Sequence, residues 1–88
     1  MKINVSIPDY DGNALDVIWV PEARYSVRAE DGQVVLKANQ AGLISLAKQM
    51  LYMAYNDLPG GSHVHLDEFF TGSPCGNALV IELDADSI

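Results

Sequence analysis

The sequence is short of positive charge and of cysteine. Of its 88 residues only 5 are lysine or arginine, against 12 aspartate or glutamate, and the formal net charge is -7. A protein that recognises phosphate backbones needs a basic surface, so neither nucleic acid nor an anionic membrane is expected as a partner. Cys75 is the single cysteine, which excludes an internal disulfide and fits a reducing compartment.

Long apolar stretches are also absent from the sequence. No run approaches the ~20 apolar residues that a membrane-spanning helix needs. Pro8 and Asp9 come too early for the hydrophobic region of a signal peptide. We therefore expect a cytoplasmic protein made of a single domain over residues 1–88, small enough that a bound partner would add to its stability.

Alternation of polar and apolar residues, or enrichment in β-branched and aromatic residues, predicts six strands. They cover residues 3–7, 15–20, 24–29, 33–38, 62–67 and 78–83. Short connections favour antiparallel pairing, so the expected fold is α+β, with a mostly antiparallel sheet of about six strands and one helix on one of its faces. The strand residues expected to face the core are Ile3, Val5, Ile7, Tyr25, Val27, Leu36, Val64, Leu66, Leu79 and Ile81.

A helix is predicted after the fourth strand, where the apolar period changes. Asn39 is a good N-cap, and the helix should run for about 16 residues. An apolar stripe, expected to be the packed face, comprises Leu43, Leu46, Ala47, Met50, Leu51 and Ala54. The residues expected largely on the other side are Ser45, Lys48, Gln49 and Tyr52.

The pair His63 and His65 is the feature closest to a chemical site. Alternate strand residues share a face, so both imidazoles could bind one metal ion. Asp67 shares that face but lies ~13 Å from His63 at the rise of a strand, and no third ligand is evident. The alternative is a pair of surface or strand-end histidines. Cys75 has no helix after it to activate its thiol, so no catalytic residue and no cofactor are predicted.

The stretch of residues 39–67 resembles a known family. It contains Asn39, Gly42-Leu43 and Leu46-Ala47 in an amphipathic helix, then a glycine turn leading into Gly61-x-His63-x-His65-Leu66-Asp67, with an aliphatic strand at residues 79–83. In these features, over about half the chain, it is similar to immunity protein family 32 of bacterial polymorphic toxin systems. The resemblance implies an α+β antidote that binds a toxin and has no chemistry of its own. Residues 1–38 carry nothing that matches.

Three functional hypotheses follow from these observations. The first is a toxin-neutralising immunity protein whose partner is a cognate protein toxin, basic and nuclease-like, because opposite charge speeds association. The second is a small metal-binding protein or metal-dependent hydrolase using His63 and His65. The third is a dimerising structural module, a homodimer formed through an open sheet. For the first, the expected partner-binding residues are His63, His65, Asp67, Glu68, Phe69 and Phe70.

Overall fold

The computed structural model describes residues 1–66 and 79–84, which contain one helix and four strands. Strands β1 (Tyr25–Glu30) and β2 (Gln33–Ala38) precede helix α1 (Gln40–Tyr55), and β3 (His63–His65) and β4 (Val80–Glu82) follow it. The described strands form two separate antiparallel pairs, β1–β2 and β3–β4. The α+β class is right, but the expected sheet of about six strands is wrong.

Strands β1 and β2 form a hairpin as predicted. Asp31 and Gly32 connect them with φ values of 50° and 76°, as a tight type I′ turn requires at both central positions. The register pairs Tyr25 with Ala38 and Val27 with Leu36. Local turn chemistry is therefore enough to define this hairpin.

The two strands predicted before the hairpin do not form. Residues 3–7 and 15–20 have no strand structure, and Ile3 and Val5, expected in the core, are exposed. The apolar residues of 3–7 alternate as in a strand, and residues 15–20 are rich in β-branched and aromatic side chains. Within the described residues, however, no backbone hydrogen bond joins either stretch to a strand. Four backbone N–H groups of residues 10–20 bond instead to side chains of the helix region, and that of Asn13 bonds to the side chain of Asp11. This part of the chain therefore follows α1 without entering a sheet.

A line of polar helix-region side chains holds the N-terminal segment (residues 8–24). These side chains recur every three or four residues, so they lie on one face of the helix. The pairs, as backbone donor and side-chain acceptor, are Val20 to Ser45 Oγ at 2.7 Å, Ile18 to Gln49 Oε1 at 2.7 Å, Asp16 to the Tyr52 hydroxyl at 3.1 Å and Tyr10 to Asn56 Oδ1 at 2.8 Å.

Three carboxamides repeat one contact along the N-terminal segment. Each amide accepts from the N–H of one residue and donates to the carbonyl two residues earlier, as a neighbouring strand would. We call these the carboxamide contacts: Asn39 with Arg24 and Glu22, Gln49 with Ile18 and Asp16, and Asn56 with Tyr10 and Pro8. Asn39 also caps the helix as predicted, since its Oδ1 accepts from the Gly42 N–H at 2.8 Å.

The carboxamide contacts overturn the predicted orientation of α1. The helix buries Gly42, Ser45, Leu46, Gln49, Tyr52 and Met53. It exposes Leu43, Ala47, Met50 and Ala54, four of the six residues expected to pack. The prediction was wrong because it scored polarity alone, whereas Ser45, Gln49 and Tyr52 are buried as hydrogen-bonding partners of the N-terminal segment.

The core lies where the helix meets both strand pairs. The buried apolar cluster is Tyr25, Val27, Leu46, Tyr52, Met53, Leu58, Val64 and Leu66. The Tyr25 hydroxyl donates to the Leu66 carbonyl, which ties β1 to the chain leaving β3. Ile7, Leu79 and Ile81 pack against this cluster while partly buried, and Leu36, expected inside, is exposed.

Replacing Gln49 by methionine tests the carboxamide contacts. Gln49→Met keeps the side-chain length but removes the partners of the Ile18 N–H and the Asp16 carbonyl, and should cost about 2–4 kcal/mol of unfolding free energy. Gln40→Met, at an exposed position of the same helix, should stay within about 0.5 kcal/mol. Urea denaturation measures both. Equal stability of the two variants would contradict the role given to Gln49.

Gly42 is the point of closest approach between α1 and the N-terminal segment. A methyl group there would clash with the carbonyl oxygen of Arg24. Helix propensity alone favours alanine over glycine by ~1 kcal/mol. Since the clash should outweigh this preference, we expect Gly42→Ala to lower the unfolding free energy by about 1–3 kcal/mol. A gain in thermal stability would show that the helix and segment can separate at no cost.

Candidate functional site

The strand pair β3–β4 presents both predicted histidines to solvent. His63 and His65 are exposed, while Val64 between them is buried in the core, as strand alternation requires. Backbone bonds from Gly61 to Leu83, Leu83 to Ser62 and Leu66 to Leu79 extend the pairing beyond the three-residue strands. The imidazoles are therefore held on a supported strand.

Cross-strand register completes this surface. His63 stands opposite Glu82 and His65 opposite Val80, so these four residues share one side of the pair and form what we call the histidine face. The two imidazole centroids lie 5.1 Å apart, edge to face, and His63 Nδ1 is 3.2 Å from the Gly61 carbonyl oxygen. Glu82 was expected on the same outward face as the histidines, but neither Glu82 nor Val80 was among the predicted partner-binding residues, because chain spacing does not reveal which residues pair across strands.

The geometry brings together only part of the expected set of partner-binding residues. Asp67, Glu68, Phe69 and Phe70 lie outside the described residues, as does Cys75. Among residues 1–66 and 79–84, no three histidine, cysteine, aspartate or glutamate side chains are grouped so as to hold a metal ion. Two imidazoles alone are fewer than the three or four protein ligands typical of a zinc site.

A second surface was not predicted at all. The apolar helix face comprises six side chains on the side of α1 away from the N-terminal segment: Leu43, Ile44, Ala47, Met50, Ala54 and Tyr55. Leu43 is 54% exposed, Ile44 50%, Met50 49% and Tyr55 82%. The helical period did indicate an apolar stripe here, but only the contacts of Ser45, Gln49 and Tyr52 reveal that it faces solvent.

The charges of the chain are sparse around this helix. Lys48 is the only charged residue of α1, and its last turn has no basic residue to offset the partial negative charge of the helix C-terminus. The one ion pair formed among the described residues joins Arg28 and Glu30 at 2.9 Å on the exposed hairpin. Among the described residues, no helix has the length and apolar character that a membrane span requires.

Comparison with known families decides the identity of the chain. A family model described as Immunity protein 32 matches residues 33–88. The chain belongs to the immunity protein 32 family. The resemblance seen in the helix and the His-x-His strand is thus confirmed, and with it an immunity role in general terms. No curated protein and no solved structure matches the chain.

The immunity protein 32 match has a definite place in the fold. It spans β2, α1, β3 and β4, and therefore contains both the histidine face and the apolar helix face. It leaves out β1 and the N-terminal segment, but it includes residues 33–38, in which the sequence analysis found no resemblance. The N-terminal segment, which orients the helix, thus lies in the part of the chain outside the family match.

The histidines should be dispensable for folding if they serve a partner. His63→Ala and His65→Ala each remove an exposed side chain, and we expect each to change the unfolding free energy by less than about 0.5 kcal/mol. Val64→Ala, on the buried side of the same strand, should cost about 1–3 kcal/mol. Thermal denaturation of the three variants compares them. If His63→Ala or His65→Ala lowers stability as much as Val64→Ala does, the imidazoles would serve to stabilise the end of the strand and not to bind a partner.

Proposed function

We propose that this protein neutralises a cognate toxin by binding it, with no chemistry of its own. Membership of the immunity protein 32 family is the observation that carries this proposal. The matched region supplies two exposed surfaces on ordered elements, the histidine face and the apolar helix face. Complex formation, as opposed to turnover of a substrate, is what such surfaces serve best.

The histidine face is the proposed polar contact. Its two imidazoles offer ring nitrogens that donate or accept hydrogen bonds, and Val80 beside His65 is 44% exposed and gives it an apolar edge. The chain continues from His65 and Leu66 into Asp67, Glu68, Phe69 and Phe70. These four residues are proposed as further contacts, since aromatic side chains are common anchors in interfaces.

Charge indicates what kind of toxin is bound. A net charge of -7 attracts a basic partner and accelerates the encounter at low ionic strength. Enzymes that cleave nucleic acid carry basic surfaces for their anionic substrate, so a nuclease-like toxin fits. We place the complex in the cytoplasm, where a single unpaired cysteine is expected to stay reduced.

A growth-rescue assay tests the function. Toxin-like proteins encoded beside this gene would be expressed in a sensitive host with and without the chain, and any rescued pair titrated by calorimetry. We expect rescue and a one-to-one complex, with the His63→Ala/His65→Ala double variant binding at least about tenfold more weakly. Gln33→Ala, which truncates an exposed polar residue on β2, is the control and should bind like the wild type.

Each alternative function predicts a different result in this assay or in a measurement made alongside it. Rescue without a complex would overturn binding as the mechanism. Rescue lost on chelation, with stoichiometric metal in the purified protein, would favour the metal-dependent reading of His63 and His65. A stable homodimer in light scattering that binds none of the toxins would favour the dimerising module.

A further inference from the structure

The apolar helix face is left exposed by the part of the chain that the structure describes. From the exposed fractions of Leu43, Ile44, Met50 and Tyr55, it presents on the order of 400 Å² of apolar surface, within the about 300–600 Å² found for the largest patch of a typical monomer. Isolated exposed apolar residues are normal, but here they are contiguous on one helix. A patch of this size is typical of an interaction site.

The spacing of the face suits a second helix. Leu43, Ala47, Met50 and Ala54 follow the four-three-four intervals of a coiled-coil seam, over two heptads. The two alanines alternate with larger side chains, which lets another helix approach closely and insert its own side chains between Leu43 and Met50. None of the six residues of the face is charged.

We propose that the apolar helix face docks a helix of the toxin, a basic protein. This inference rests on the proposed function and names a surface for it. Tyr55, 82% exposed at the C-terminal end of the face, is the aromatic anchor. The helix C-terminus, which has no basic residue in its last turn and is followed by Asp57, is the negative end toward which basic residues of the partner point.

Two observations favour the toxin over a second copy of this chain as the occupant. Two copies would each bring a net charge of -7, so their approach is opposed by electrostatic repulsion, whereas a basic partner is attracted. The face also supplies less than the about 800 Å² per partner that a stable interface of standard size buries. A toxin that contacts other surfaces as well overcomes this shortfall, while a dimer through this face alone does not.

Glutamate substitutions test the helix face, with a control that adds the same charge elsewhere on the surface. The probe is the toxin whose activity the wild-type chain neutralises. Ala47→Glu and Met50→Glu place a charge in the seam, and we expect each to weaken calorimetric affinity by at least about 30-fold. Val34→Glu changes the net charge equally at a residue of β2 that is 75% exposed, and should stay within about threefold.

Tyr55→Ala removes the anchor without adding charge. We expect about a tenfold or greater loss of affinity, retained at high salt because the lost contact is apolar. The thermal stability of all four variants should match that of the wild type, since every substituted side chain is exposed. If Ala47→Glu or Met50→Glu fails this criterion, it is replaced by Ala54→Glu, on the same seam.

The outcomes separate this inference from the function on which it rests. If the wild-type chain binds no neighbouring toxin, both are overturned. If the wild type binds and the seam variants bind equally well, the function stands and the helix face is overturned. If Ala47→Glu breaks up a wild-type dimer in light scattering while leaving toxin affinity unchanged, the occupant is a second copy and the inference is again overturned.

Discussion

The rest of the structure depends on side-chain amides that bind backbone. Asn39, Gln49 and Asn56 each pair with the N–H of one residue and the carbonyl two residues before it, at three places along residues 8–24. Each intramolecular hydrogen bond contributes only ~1 kcal/mol net, but a buried amide left without partners costs more than that. The described residues contain no buried side-chain nitrogen or oxygen without a partner. The amides therefore specify one arrangement of segment and helix.

That arrangement decides which side of the helix is available to other molecules. Ser45, Gln49 and Tyr52 face the N-terminal segment. Leu43, Ala47, Met50 and Ala54 lie on another side of the helix, so this orientation leaves them exposed to solvent. Leaving apolar side chains in water forgoes ~25 cal/mol for each Å² that could have been buried. In a chain of 88 residues, with little core to spare, such a loss is most readily offset when a partner covers the face.

The sequence was informative where the signals are local and uninformative where they are not. Asp31-Gly32 predicts its hairpin, Asn39 its cap, and the apolar period a helix of the right length, because each signal acts within a few residues. The rotation of the helix depends on contacts between residues 25 to 48 positions apart, such as Val20 with Ser45 and Asn56 with Pro8. The β-branched and aromatic residues at positions 15–20 are equally compatible with a strand and with a chain bound by helix side chains, so this composition could not distinguish the two. Alternation placed Glu82 on the outward face, but only the register of the strand pair places it opposite His63.

The exposed surfaces and the backbone that orients the helix lie in different parts of the chain. Both exposed surfaces lie in residues 33–88, whereas the backbone that Ser45, Gln49 and Asn56 bind lies before residue 25. Side chains bound to a backbone depend on its position and not on the identity of its residues, so these hydrogen bonds place few demands on the sequence of the N-terminal segment. A proline at Ile18 or Val20 is the exception, since it would remove a required N–H. The segment's apolar side chains Tyr10, Leu15, Ile18 and Trp19 also pack against the core. Such a segment can keep both exposed surfaces fixed and yet lie outside the family match.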